Sequence, residues 1–236
     1  MTTEHSKLRT AMILAAGEGR RMRPLTLTTP KPLLMAGNKP LIEYHINNLT
    51  AAGIQRIVIN VAYLGQKIID FVGDGSRYGV SIDYSIEPEP LETAGAIGYA
   101  LPLLGDTPFV LVNGDVWSDY PLVNLTRLDT VSGAHLVMVK NPLHHHSGDY
   151  GVSDGVIVPA QQVRESVTFS GLSVIAPSAI TAYPKRRLKF PLREVFNGLM
   201  EQRRLTGEVY AGEWRDIGTP ERLALLDQQL ARNSRV

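Results

Sequence analysis

A loop rich in glycine and arginine follows the first apolar run of the sequence. It supplies small residues and guanidinium groups at Ala16, Gly17, Gly19, Arg20 and Arg21. Small residues let backbone N–H groups approach phosphate oxygens, and arginine supplies the charge that binds them, so the loop predicts a phosphate site. The dinucleotide fingerprint would need a third glycine where Met22 stands, and the P-loop would need Gly-Lys-Ser/Thr. A glycine turn without a ligand is the remaining alternative.

A single lysine lies between two prolines nine residues past Met22, in the segment Thr29-Pro30-Lys31-Pro32-Leu33-Leu34. Proline rings restrict the backbone, and a restricted backbone holds the ammonium group in one place, which reduces the entropy lost on binding. Alone, Lys31 is equally compatible with an ordinary surface lysine. The two segments together favour Lys31 as a second group that binds phosphate.

Two aspartates follow segments with the pattern of strands. Asp115 ends the run Phe109-Val110-Leu111-Val112-Asn113-Gly114-Asp115, and Asp216 lies at a second junction between strand and helix. Ligands of open α/β sheets bind at the carboxyl ends of strands, and Mg²⁺ prefers one or two carboxylates together with substrate phosphates. Asp115 is therefore a predicted magnesium ligand and Asp216 a second candidate. A turn residue is the alternative for each of them.

These side chains need a sheet that brings them to one edge. In the first half of the chain, short apolar runs alternate with helical patterns, which predicts an α/β fold with a mostly parallel sheet covered by helices. Gly53 is the predicted left-handed cap of the first helix. The predicted strands are 11–15, 56–61, 81–86, 109–112 and 135–139, and the predicted helices are 41–52, 66–72 and 93–101.

After residue 140 the pattern weakens. The predicted elements are short strands around Tyr150, Val156 and Phe169 and a helix over about 192–203. A last helix is predicted from Thr219-Pro220-Glu221, because Thr is a favourable N-cap, Pro suits the first helical position and Glu favours the helix dipole. Without a linker or repeat, we expect one domain over 1–236 whose role changes near residue 140.

The composition indicates an ordinary globular protein. The chain has 236 residues, a formal net charge of +1 and no cysteine. The small charge argues against nucleic acid or an anionic membrane as a partner, and the absence of cysteine excludes disulfides, thiolate catalysis and cysteine-ligated zinc. Residues 1–10 lack the pattern of a signal peptide, and no apolar run is long enough to span a membrane, so we expect a cytoplasmic protein.

The loop and the lysine together form a compound motif. Residues 17–33 match Gly-x-Gly-x-Arg-Met/Leu, then Pro-Leu-Thr, then Pro-Lys-Pro-Leu, and the chain resembles the sugar-phosphate nucleotidyltransferase family over nearly its whole length. The resemblance implies a Rossmann-like fold with a nucleotide-binding half over 1–140 and a sugar-binding half with the C-terminal helix over 141–236. It implies that the glycine-rich loop binds the nucleotide. The catalytic roles it implies are charge stabilisation by Arg21, contact with the α-phosphate by Lys31, and joint binding of Mg²⁺ by Asp115 and Asp216.

The resemblance also assigns residues to the base. Glu87 and Thr93 lie in a segment similar to the base-reading segment of the family. A carboxylate can accept hydrogen bonds from uracil N3–H or from guanine N1–H and N2–H, so Glu87 leaves the base open. A solvated glutamate at a strand end is the alternative.

The sugar contacts implied by the resemblance are Asn113, Asp149 and Gly151. Residues 149–152 and 168–172 are similar to the two sugar-facing segments of the family. The Glu-Lys-Pro segment of many hexose 1-phosphate enzymes is absent, and the nearest remnant is Arg164-Glu165-Ser166. The group that holds the sugar phosphate is therefore not identified.

Within the family, four features are most similar to the members that transfer UMP to N-acetylmuramate α-1-phosphate in peptidoglycan recycling. These are the compact length, the sequence Pro-Leu-Glu-Thr-Ala-Gly, the sequence Trp117-Ser118-Asp119 and the missing Glu-Lys-Pro segment. The implied substrates are UTP and this sugar 1-phosphate, with Mg²⁺ as cofactor. A mannose or heptose 1-phosphate guanylyltransferase and a catalytically silent subunit that binds nucleotide sugars are the alternatives. We expect a monomer or a small dimer.

Two polar clusters are expected to be solvated. His144-His145-His146 has consecutive side chains, which point in different directions, and no second cluster accompanies it. The basic segment 185–189 lacks aromatic residues between its charges, so a solvated face is favoured over a binding site.

Overall fold

The computed structural model describes residues 8–128 and 131–233. Within these ranges the strands are β1 (Thr10–Leu14), β2 (Met35–Ala36), β3 (Lys39–Pro40), β4 (Arg56–Val61), β5 (Ser81–Ile86), β6 (Phe109–Asn113), β7 (Val116–Ser118), β8 (Ala134–Val139), β9 (Tyr150–Ser153), β10 (Val156–Pro159), β11 (Thr168–Ile175), β12 (Leu205–Tyr210) and β13 (Trp214–Asp216). The α-helices are α1 (Leu41–Ala51), α2 (Gly65–Val72), α3 (Glu92–Leu104), α4 (Val123–Thr126), α5 (Pro177–Thr181), α6 (Leu192–Glu201) and α7 (Pro220–Asn233). No helix in the described ranges has the length and apolar character needed to cross a membrane.

The main sheet has nine strands in the order β5-β4-β1-β6-β11-β8-β12-β10-β9. Strands β5, β4, β1 and β6 are parallel, as are β8 and β12, whereas β11 runs antiparallel to both of its neighbours. The predicted α/β fold with a mostly parallel sheet is confirmed. The short strand expected around Phe169 is instead an eight-residue strand between β6 and β8, so both halves of the chain share one sheet.

Helices cover the sheet on both faces. Ile42, Ile46 and Leu49 of α1 are fully buried against one face, and Ile97 of α3 and Phe196 of α6 are buried against the other. Strands that are buried on both faces read as nearly continuous apolar runs, which explains why β1, β4 and β6 were recognisable in the sequence. Gly53 has φ +91°, as its predicted role as a left-handed cap requires.

The C-terminal helix holds the loops that follow β1. The Arg222 N–H donates a hydrogen bond to Thr219 Oγ1 at 3.4 Å, which confirms the predicted N-cap. Further along α7, the fully buried side chain of Leu226 packs in a small apolar cluster with Met22 and Ile217. Asp227 Oδ1 accepts a hydrogen bond from the Gly37 N–H at 2.7 Å. The far end of the chain thereby fixes the loop that carries the predicted phosphate ligands.

Candidate active site

A cleft opens where the chain connections change direction. The chain goes from β1 to β4 on one side of the sheet and from β6 toward strands on the other side, so the loops after β1 and β6 diverge. Ligands of open α/β sheets bind at such a switch point. The cleft has a volume of about 400 Å³, within the range of small-molecule sites. Its lining includes Ala16, Gly17, Gly19, Arg20, Arg21, Lys31, Asn60, Glu87, Thr93, Asn113 and Asp115.

The loop after β1 turns sharply at Gly19. This residue has φ +60°, and a Cβ added there would lie 2.9 Å from Thr26 Cγ2, so only glycine fits. The Thr26 hydroxyl donates a hydrogen bond to the Gly19 carbonyl at 2.9 Å. The turn starts a 3₁₀ helix over Arg20–Met22, in which Met22 is fully buried. These contacts fix the backbone that presents the two arginines.

The two arginines have different partners. Arg20 Nε donates a hydrogen bond to Glu18 Oε2 at 2.6 Å, which neutralises its charge at the rim of the cleft. Arg21 has no ion-pair partner among the described residues. Its Nη2 lies beside Gly218, where an added Cβ would be 3.3 Å away. Of the two guanidinium groups, that of Arg21 is the one available to a phosphate.

Lys31 and Asp115 form an ion pair in the cleft. Lys31 begins a 3₁₀ turn over Lys31–Leu33, and its Nζ lies 2.9 Å from Asp115 Oδ2. The side chain of Lys31 is 11% exposed, whereas that of Asp115 is 46% exposed. The ammonium group is therefore held in place, and the carboxylate still faces open space where a ligand can reach it.

The backbone segments that carry Asp115 and Asp216 are neighbours at one end of the cleft. The Gly114 N–H donates to the Leu14 carbonyl at 2.9 Å, which ties the start of the Asp115 loop to β1. The next strand, β7, pairs antiparallel with β13, so that Asp216 lies opposite Val116. The Ile217 N–H donates to the Asp115 carbonyl at 2.7 Å. This two-stranded ribbon explains how aspartates far apart in sequence become neighbours.

Asp115 and Asp216 supply carboxylate oxygens, the type of ligand that Mg²⁺ prefers. In this structure Arg222 Nη1 donates to both carboxylate oxygens of Asp216, to Oδ1 at 2.6 Å, and His144 Nε2 lies 3.0 Å from Oδ1. Within the described residues no group of three or more His, Asp or Glu side chains forms a complete metal cage. Mg²⁺ binds one or two carboxylates and completes its shell with phosphate and water oxygens. The residues therefore fit an ion that is shared with substrate phosphates.

A buried hydrogen-bond relay forms the floor of the cleft. Asn60 Oδ1 accepts from the Ala15 N–H at 2.8 Å, and Asn60 Nδ2 donates to Glu87 Oε1 at 2.7 Å. The Leu91 N–H donates to Glu87 Oε2 at 3.0 Å. Burial raises the pKa of the Glu87 carboxyl, and the two donors oppose that rise. Glu87 is 4% exposed and is not a solvated strand end. Asn60 was missed, although a polar residue inside the apolar run 56–61 is a signal for it.

Thr93 and Asn113 connect the cleft to the second half of the chain. Thr93 Oγ1 accepts a hydrogen bond from the Leu192 N–H at 2.7 Å, at the start of α6. Asn113 ends β6 and lies against Gly171, where an added Cβ would be 2.9 Å from the Asn113 side chain. The cleft therefore borders the second half of the chain at these two residues, where the wall of the expected sugar site begins.

Asp149 and Gly151, the other expected sugar contacts, have partners within the protein and do not line the cleft itself. Asp149 Oδ2 accepts a hydrogen bond from the Phe169 N–H at 3.0 Å, and its Oδ1 lies 3.3 Å from His145 Nε2. Gly151 is buried, and a Cβ there would overlap Val163. Asp149 thus fixes the start of β11, and Gly151 makes room for a neighbouring side chain.

The histidine segment is a largely exposed loop, as expected, but two of its imidazoles also contact aspartates. His144 contacts Asp216 and His145 contacts Asp149, although the His144 side chain is 41% exposed. Consecutive imidazoles do point in different directions. The loop between β8 and β9 passes close to two aspartates, so that His144 contacts one of them and His145 contacts the other. The basic segment 185–189 is exposed, as expected.

Known proteins similar to this chain show its family. A sequence model of the family described as Nucleotidyl transferase matches residues 10–164. The chain is 46% identical over 219 residues to the N-acetylmuramate alpha-1-phosphate uridylyltransferase of Neisseria meningitidis serogroup B, covering 90% of this chain and 94% of that protein. It is 33% identical over 222 residues to the mannose-1-phosphate guanyltransferase of Yarrowia lipolytica, covering 89% of this chain and 61% of that longer protein.

The fold is also similar to that of solved structures. A solved structure of a UDP-glucose pyrophosphorylase complexed with UDP-glucose superposes with a TM-score of 0.80 at 18% sequence identity, covering 96% of this chain and 99% of that chain. At this identity the likeness concerns the fold, including the mostly parallel sheet that forms the cleft. The family match, which spans more than half of the chain, includes the glycine-rich loop, Lys31 and Asp115. The chain therefore belongs to the nucleotidyl transferase family.

Proposed function

We propose that this protein joins UTP to N-acetylmuramate α-1-phosphate with Mg²⁺, forming UDP-N-acetylmuramate and pyrophosphate in peptidoglycan recycling. The relative from N. meningitidis is named for this uridylyl transfer, and the alignment includes nearly the whole of both chains. The observation that carries the proposal is the ion pair of Lys31 with Asp115, beside which the β7–β13 ribbon delivers Asp216. A cation suited to phosphate and the carboxylate of Asp115 thus line the cleft at the switch point of the sheet, and the segment that carries Asp216 is bonded to the Asp115 loop.

The reaction needs positioning and charge neutralisation, without a covalent nucleophile on the protein. A phosphate oxygen of the sugar 1-phosphate attacks the α-phosphorus of UTP, the bond from the α-phosphorus to the bridging oxygen breaks, and pyrophosphate leaves with the electron pair. Lys31 holds the α-phosphate, and Arg21 stabilises negative charge on the reacting phosphates. Asp115 and Asp216 would hold Mg²⁺, which supplies further positive charge to the phosphates when bound.

Glu87 is assigned to the base. Its buried carboxylate accepts hydrogen bonds, which suits uracil N3–H and also guanine N1–H and N2–H. The preference for uracil rests on the uridylyltransferase relative at 46% identity, compared with 33% for the guanyltransferase. Guanylyl transfer to mannose 1-phosphate is the second candidate, because the guanyltransferase aligns with 89% of this chain and Glu87 suits guanine.

Pyrophosphate release tests the proposal. UTP, GTP, CTP and dTTP are each combined with the 1-phosphates of N-acetylmuramate, N-acetylglucosamine, mannose, glucose and heptose, in the presence of Mg²⁺. UTP with N-acetylmuramate 1-phosphate should give the highest kcat/KM. A higher value for GTP with mannose or heptose 1-phosphate would replace the substrate pair, and nucleotide binding without release from any pair would indicate a silent subunit.

The metal assignment is tested with Asp115→Asn. Activity and its magnesium dependence should be lost together, because the variant removes one of two carboxylate ligands. Asp106→Asn is the matched control, since Asp106 is exposed in the turn after α3 and does not line the cleft. A magnesium titration of Asp115→Asn that matches the wild-type titration would contradict the assignment.

A further inference from the structure

A basic side chain that the reaction steps do not use lies at the border between the cleft and the second half. Arg193 follows Leu192, whose N–H donates to Thr93 Oγ1 in the cleft at 2.7 Å. On its other side, Arg193 Nη1 lies 4.0 Å from Asp149 Oδ1. The side chain is 65% exposed. Arg193 thus stands between a residue of the nucleotide cleft and a residue of the expected sugar wall.

The wall beside Arg193 is held together by packing and a hydrogen bond. It begins at Asn113, against which Gly171 of β11 packs. It continues to Phe169, which lies two residues before Gly171 on the same strand. The Phe169 N–H is bound by Asp149, and its ring contacts the Phe196 ring edge-on with centroids 5.5 Å apart. Since Phe196 and Arg193 both belong to α6, packing of this helix sets the position of the guanidinium along the wall.

The guanidinium of Arg193 keeps donors free for a ligand. Asp149 is already engaged by the Phe169 N–H and lies closer to His145, at 3.3 Å, than to Arg193, at 4.0 Å. Burial raises the pKa of the neighbouring Tyr150 to about 12, and the charge of Arg193 and a hydrogen bond with its side chain oppose that rise. Arg193 is therefore close to this wall, and its contacts with Tyr150 and Asp149 use only part of its donors. An arginine has five N–H donors in a planar fork that matches a carboxylate.

We infer that Arg193 selects an acidic sugar by binding the carboxylate of the lactyl group of N-acetylmuramate. The inference rests on the proposed function, in which the sugar carries this carboxylate on O3 and the reacting phosphate on C1. The phosphate must reach Lys31 and Asp115 at the end of β6. Arg193 approaches Asp149, which binds Phe169, and Phe169 lies two residues along β11 from the Gly171 that packs on Asn113. We assign the group on the far side of the sugar ring to the Arg193 end of this series of contacts.

The test compares two sugars that differ only in the lactyl group. KM and kcat are measured for N-acetylmuramate 1-phosphate and N-acetylglucosamine 1-phosphate, with UTP, in wild-type protein, Arg193→Gln and Arg193→Lys. If turnover of the second sugar is too slow, its inhibition constant against the first replaces KM. Arg127→Gln is the matched control, because exposed Arg127 follows Thr126, whose carbonyl accepts a hydrogen bond from the Leu8 N–H at the amino end of β1. The cleft lies at the carboxyl end of this strand.

Arg193→Gln should raise KM for the muramate substrate roughly 10-fold to 100-fold, the equivalent of one lost charge-assisted hydrogen bond, with little change in kcat. The glucosamine constants should stay within about 3-fold, as expected where no hydrogen bond is lost, and Arg193→Lys should recover part of the muramate affinity. An equal loss for both sugars would assign Arg193 to the phosphate and overturn the inference, as would no loss for either. If wild-type protein does not use the muramate substrate, the proposed function fails and the inference fails with it.

Discussion

The relay between Asn60 and Glu87 predicts that two harmful substitutions rescue each other. In Glu87→Gln, one carboxylate oxygen becomes an NH₂ group, which must face a donor: either Asn60 Nδ2, 2.7 Å from the present oxygen, or the Leu91 N–H, at 3.0 Å. In Asn60→Asp, two buried carboxylates face each other. In the double variant, the new amide donates to the new carboxylate and accepts from the Leu91 N–H, while the Ala15 N–H keeps an acceptor. Every hydrogen bond of the relay is then remade.

The expected magnitudes follow from these contacts. Glu87→Gln loses a hydrogen bond to a charged acceptor and creates a donor–donor contact, which should lower the free energy of unfolding by about 1.5–3 kcal/mol. Asn60→Asp places two charges about 4 Å apart, a repulsion of about 4 kcal/mol at an effective dielectric constant of about 20. Additive effects would sum to about 6 kcal/mol, whereas the double variant should lie within about 1 kcal/mol of wild type.

Urea unfolding at pH 7, followed by far-ultraviolet circular dichroism, gives the four free energies of the cycle. A coupling energy of at least about 3 kcal/mol in favour of the double variant is expected. KM for UTP should follow the same order, because the relay ties Ala15, beside the phosphate loop, to Leu91, beside the base-reading segment. Normal stability of Glu87→Gln, or a double variant no better than the sum of its parts, would refute a structural role for the relay.

Three further predictions concern the phosphate loop, its support and the response to acid. Arg21→Ala should lower kcat about 100-fold to 1,000-fold through lost charge stabilisation, whereas Arg23→Ala in the same loop should not; equal effects in steady-state assays would contradict the assignment. Leu226→Ala should cost about 2–5 kcal/mol in urea unfolding and weaken UTP binding, since Leu226 is fully buried against this loop, while Leu225→Ala, at an exposed position of the same helix, should be nearly neutral. Burial lowers the pKa of His45 from 6.5 to about 4, so only the unfolded state takes up a proton in that window. Stability should therefore fall by up to about 3 kcal/mol as the pH drops from 6.5 to 4, and a pH series that shows the same slope for His45→Gln would contradict this origin.

The elements found from the sequence are those whose pattern is local. The strands at 56–61 and 81–86 were predicted with the bounds that the structure has, because each carries a local pattern. The first is a nearly continuous apolar run, and the second, at the edge of the sheet, contains apolar residues separated by polar ones. The N-cap at Thr219 depends only on its own neighbours in the chain. The strand β7 was missed, and the strand that ends at Asp216 was expected without its partner, because three residues carry no period and the two strands lie about a hundred residues apart.

The candidate site divides in the same way. The glycine-rich loop and Lys31 are recognisable because their residue types and spacing carry the chemistry. The proximity of the segments that carry Asp115 and Asp216 required the family resemblance, since it depends on the pairing of β7 with β13. The contact of His144 with Asp216 depends on the path between two strands that are not neighbours in the sheet, which no local pattern encodes.

The most direct test of the proposed transfer follows the oxygen atoms. N-acetylmuramate 1-phosphate labelled with ¹⁸O in its non-bridging phosphate oxygens is incubated with UTP, Mg²⁺ and the protein, and the products are weighed by mass spectrometry. All of the label should remain in UDP-N-acetylmuramate, and the pyrophosphate should be unlabelled. Label in the pyrophosphate, or the absence of any UDP-sugar, would contradict attack on the α-phosphorus of UTP in this cleft.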